Sequence, residues 1–101
     1  MSCLRQNLNN IYVTSDNMNN LHGVSVYFER GNKQMHIGMH WEGDGWCLQQ
    51  TDETGFRTQH LSEGEAWKII HGLYRSLRID SWIPIRVLRY PEDRILPWDN
   101  D

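Results

Sequence analysis

His36, His40 and Cys47 are the residues of this 101-residue chain that come closest to a chemical constellation. The two histidines lie four apart in Lys33–Trp41, a stretch whose alternation marks a strand. On a strand they share a face but stand about 13 Å apart, too far to hold one ion together. On a helix the same spacing would bring them together. Zinc asks for three or four ligands, and no Cys-x-x-Cys pair is present. No metal and no cofactor is therefore expected. Cys47 could meet His36 or His40 across strands as a nucleophile and base. The sequence identifies no group to orient that pair, and a cysteine also serves as a small apolar filler. The acid pairs Asp52-Glu53 and Glu63 with Glu65 are explained by a turn and by a helix N-terminus. The glycines fall at turns, with no phosphate-cradling spacing. No catalytic residue is assigned, and the chain is not expected to be an enzyme.

The elements that must position these residues are legible. Val24, Val26 and Phe28 alternate with Ser25, Tyr27 and Glu29 in a half-buried strand over 23–30. Gly31-Asn32 is a hairpin turn. Met35, Ile37, Met39 and Trp41 then alternate with Gln34, His36, Gly38 and His40. Turns at 43–45 and 52–55 separate further strands at 46–51 and 56–60; Trp41 and Trp46 flank the first of them, and a cross-strand pair of the two would stabilise that hairpin. Ser62 and Glu65 form a capping box. It opens a helix to about Arg78, whose stripe of Ala66, Ile70, Leu73 and Leu77, widened by Trp67, Ile69 and Tyr74, should cross the apolar sheet face. Ile85 to Tyr90 suggests a fifth strand; Pro84 can open it but not sit in its middle. A short edge strand is conceivable at Ile11–Val13. The expected fold is α+β: an antiparallel four- to five-stranded β-meander with one amphipathic helix packed across one face. It forms a single domain over 1–101, with 1–9 and 92–101 as tails, either flexible or partner-binding.

This plan resembles in architecture that of some small DNA-binding domains such as the AP2-type. Those domains read the groove with basic and aromatic residues on the exposed sheet face. Here that face offers Ser25, Tyr27, Glu29, Gln34, His36 and His40, which is nearly neutral. The resemblance is one of layout, and no family is assigned from it.

The formal net charge is −3, without the basic excess that phosphate contacts favour. Acids at 42, 44, 52, 53, 63 and 65 oppose Arg57, and a basic stretch from Lys68 to Arg94 follows. Two cysteines make no disulfide framework, and both are expected as reduced thiols in the cytoplasm. The first twenty residues are polar, so no leader is expected, and no apolar run is long enough to span a bilayer.

Five tryptophans exceed the need of one small core. Trp82 and Trp98 fall in irregular, proline-flanked segments near arginines, and Trp and Arg commonly anchor interfaces. The expected protein-binding residues are therefore Trp82, Arg86, Arg89, Arg94 and Trp98. Glu42, Asp44, Asp52 and Glu53 are expected to form an acidic turn surface. The expected function is a small non-enzymatic protein-binding module, an inhibitor or adaptor that masks a surface of a larger protein. Phage anti-defence and immunity proteins share this general size and charge. One alternative is a nucleic-acid-associated regulator, which needs Arg75, Arg78, Arg86 and Arg89 in one patch. Another is a small enzyme or metal site around Cys47 and His36 or His40. A homodimer through a sheet edge is compatible with each.

Overall fold

A computed structural model describes residues 22–99; the strand expected at 11–13, the lead-in at 1–9 and the last two residues lie outside this range. Five strands and one helix follow in order: β1 Gly23–Arg30, β2 Lys33–Trp41, β3 Trp46–Asp52, β4 Gly55–Leu61, α1 Glu63–Ile79 and β5 Ile83–Tyr90. The sheet runs β4-β3-β2-β1-β5 with every pairing antiparallel. β1 to β4 form the expected meander. The helix then carries the chain from beyond β4 back across the sheet to lay β5 beside β1.

The alternation in sequence becomes the division between faces. Val24, Val26, Phe28, Ile37, Met39, Trp46 and Leu48 meet Ala66, Ile70, Tyr74 and Leu77 of α1 in one core. Because neighbours in register share a face, Ser25, Tyr27, His36, His40, Cys47, Gln49 and Thr51 take the other side, called here the distal face. Trp41 pairs with Trp46, ring centroids 5.8 Å apart and edge-on.

Both helix ends carry sequence-encoded caps. Ser62 Oγ accepts from the Glu65 amide while Glu65 reaches back to Ser62, the reciprocal capping box. At the other end the Trp82 amide donates to Leu77 O at 2.9 Å and the Ser81 amide to Arg78 O at 3.1 Å. This Schellman pattern needs a left-handed residue at Ser81, which has φ 72°.

β5 starts earlier than expected, at Ile83, and takes Pro84 in as its second residue. Among the described residues β5 is an edge strand, so the missing proline amide interrupts no inner ladder. Register slips opposite Tyr27 and Phe28, which pair with Arg86 and Pro84 and leave Ile85 as the extra residue of a bulge.

The segment after β5 folds back onto the domain. Leu96 is buried, and Trp98, 8% exposed, stacks on Tyr74. Asp99 closes the turn by accepting from the Leu96 amide and from Arg89, each at 2.8 Å. These bonds, the Leu96 amide first and Arg89 after it, hold the Asp99 carboxyl below its ordinary pKa. No helix of the described residues is long and apolar enough to cross a membrane.

Candidate functional site

The distal face carries two features. The first lies where the β2–β3 turn closes. Glu42 N–H donates to Gly45 O at 2.9 Å, and Gly43 takes a φ of 94° that favours glycine. The turn brings Glu42 back over the sheet, where Oε2 meets Nε2 of His40 at 3.2 Å. His40 stands directly across from Cys47, and Cys47 across from His60. Ligand atoms of His40, Glu42 and Cys47 all lie within 4.8 Å of one another. His60 packs so closely on Gly45 that a Cβ there would fall 2.2 Å from its Nε2. It also stands 3.9 Å from Asp44.

His40 and Cys47 are buried, and the Glu42 side chain is only 6% exposed. Burial lowers the His40 pKa, and the carboxylate beside it opposes that shift only in part. Nδ1 of His40 and Oε1 of Glu42 are both buried without a hydrogen-bond partner. Each such orphan costs about 1–3 kcal/mol. Cys47 is disulfide-bonded, which corrects the expectation of a reduced thiol. Its sulfur also lies 3.8 Å from the Gln49 amide nitrogen.

The second feature is an open groove of about 440 Å³ at the other end of the same face. Tyr27, Gln34, His36, Thr51 and Arg86 line it with the exposed Ile85; Phe28 and Met35 also border it, but their side chains belong by register to the helix-side core. The Tyr27 and His36 rings are 4.7 Å apart, and the Arg86 guanidinium stands 5.6 Å from the Tyr27 ring centre. Burial pushes the His36 pKa from its ordinary 6.5 down to about 4, so the ring is neutral at pH 7. Ile85 is 51% exposed, and Ile83, 63% exposed, pairs with Glu29 on the same side.

The expected interface residues scatter. Trp82 is buried under the Arg30 guanidinium, 4.6 Å from its ring. Trp98 is buried on Tyr74, and Arg94 stands over Trp67 at 5.2 Å. Both indoles are therefore core groups, because the helix end and the tail fold over them. Arg86 faces the groove, whereas Arg89 pairs with Val24 on the helix side. Arg86 and Arg89 thus occupy opposite faces of the sheet. The acidic turn residues scatter too. Asp44 is exposed and Glu53 reaches Lys33 at 3.2 Å. Asp52 is turned inward, its pKa lowered first by two bonds from Thr54 and then by Arg57. Glu42 departs most, because it is buried against His40 rather than displayed.

Of the residues weighed for chemistry, the structure brings His40 and Cys47 together and leaves His36 in the groove, opposite Thr51. Glu42 is the buried partner of His40 that sequence reasoning, which set it on an exposed acidic turn, missed. The Trp41–Trp46 pairing implies the next pair, His40 with Cys47; the return of Glu42 depends on the path of the turn. No known protein family, curated protein or solved structure matches this chain.

Proposed function

We propose that this chain is a non-enzymatic protein-binding module, an inhibitor or adaptor, which takes an extended segment of a larger protein along β5 and the distal-face groove. The observation that carries this is the groove itself, walled by Tyr27, His36 and Arg86, beside a strand that is an edge among the described residues and carries two exposed isoleucines. An edge strand offers unpaired backbone groups to an added strand, and pockets for alternate side chains give such binding its specificity. Arg and Tyr are favoured anchor types at interfaces. Charge supports a protein partner over a nucleic acid, since the formal net charge is −3 and Arg86 and Arg89 face opposite ways. A second copy of this chain pairing through β5 is the competing occupant. The proposal places the protein in the cytoplasm, where a reducing thiol pool would act on the Cys47 disulfide.

The test is a tagged pull-down of the full chain from its native cell at moderate salt, with and without nuclease. A stoichiometric protein that survives nuclease treatment is the expected result. Recovery of nucleic acid alone, or only of further copies of this chain, contradicts the proposal.

A further inference from the structure

We infer that His40, Glu42 and Cys47 form a thiol-gated site for a divalent metal ion of the zinc class, closed while the Cys47 disulfide stands and opened by its reduction. The three residues supply an imidazole nitrogen, a carboxylate oxygen and a sulfur, all common zinc ligands. Around a tetrahedral ion these atoms would lie about 3.3–3.8 Å apart, given bonds of about 2.0–2.3 Å. The observed limit of 4.8 Å leaves a closure of about an ångström, within reach of side-chain rotation beside a turn with two glycines. Three protein ligands leave a fourth position for water, the arrangement of open zinc sites.

The second observation is an orphaned carboxylate oxygen. Glu42 Oε1 is buried with no partner, in a side chain 6% exposed, while Oε2 meets the Nε2 edge of His40. An unsatisfied buried oxygen is a sustained cost to the fold, and a cation held there with the Nε2 edge and the thiolate would remove it. The sulfur is engaged in a disulfide, so the site is not loaded in that state. A dithiol reductant supplies the two electrons: the Cys47 S–S bond breaks, both protein sulfurs end as thiols, and the dithiol closes to its own disulfide. Cys47 then loses its thiol proton to solvent as the sulfur bonds the metal.

The experiment uses the full chain, reduced with dithiothreitol, desalted without oxygen and titrated with Co²⁺, with Zn²⁺ as competitor. The expected result is one Co²⁺ per reduced chain with a sulfur-to-cobalt charge-transfer band, bleached by Zn²⁺ and absent from the oxidised chain. Cys47→Ser abolishes the band, whereas Cys3→Ser keeps it, which assigns the sulfur. Glu42→Gln, nearly the same shape, retains the fold by circular dichroism and weakens binding at least about tenfold. The inference is overturned if reduced chain takes up no Co²⁺, if the oxidised chain binds equally well, or if Cys47→Ser gives the same spectrum.

Discussion

Trp98 lies flat on Tyr74, ring centroids 4.1 Å apart and planes 2° from parallel. Stacking of this kind adds to the area that two large rings already bury. It ties the segment after β5 to the middle of α1, with Leu96 buried beside it. The tail is therefore part of what holds the helix on the sheet. Trp98→Ala should cost about 3–5 kcal/mol of stability, read as a lower denaturant midpoint. An unchanged midpoint would show that the indole is spent on something other than the fold.

Ser81 holds a left-handed conformation that glycine adopts without penalty. Its amide already makes the Schellman bond to Arg78 O, which glycine preserves. Ser81→Gly should leave stability unchanged or raise it by up to about 1 kcal/mol, although glycine usually destabilises. Thermal melts of the two proteins decide it; a fall in midpoint would mean that the serine side chain contributes more than its backbone costs.

At the other helix end, Ser62→Ala removes the acceptor for the Glu65 amide and breaks the capping box. The expected loss is about 1 kcal/mol, measured by urea unfolding. Glu65→Gln, which still accepts from the Ser62 amide, should lose less.

His36 gives the fold a pH dependence with a fixed sign. Its folded pKa is about 4, against an ordinary 6.5 in the unfolded chain. Between those values the unfolded chain takes up a proton that the folded one refuses. Stability is therefore full above 6.5, falls as pH drops toward 4 and levels off below. The His36 share is at most about 3 kcal/mol. His40, lowered by the same cause, acts in the same direction. Urea midpoints at the two ends of this window should differ less in His36→Gln than in the parent. An equal difference in both proteins would remove His36 as the source.

Much of this fold is legible in the sequence because period-two alternation states directly which residues share a face. The β1–β2 hairpin follows from Gly31-Asn32 and the helix start from Ser62 and Glu65. The position of β5 beside β1 is not legible, since nothing local tells a strand which edge it joins. Pro84 illustrates a second limit: a bulge at Ile85 lets an edge strand keep a proline that an inner strand would reject. Trp82 and Trp98 illustrate a third, because irregular segments around proline carry no periodicity to mark them as buried. Glu42 is the clearest case. A charged residue next to a glycine-rich turn predicts exposure, and the turn's path instead folds it onto His40.

The groove at Tyr27 and Arg86 is the centre of the functional proposal, and a comparison of three tagged chains tests it most directly. The double variant Ile85→Glu with Arg86→Glu changes exposed groove and edge residues and should keep the fold. Ile95→Glu alters a still more exposed isoleucine outside the groove lining. In quantitative pull-downs from the native cell, the parent and the Ile95→Glu chain should recover the same nuclease-resistant partner, and the double variant should lose it at least about tenfold. Equal recovery by all three folded chains would contradict the assignment of this groove and edge as the binding surface.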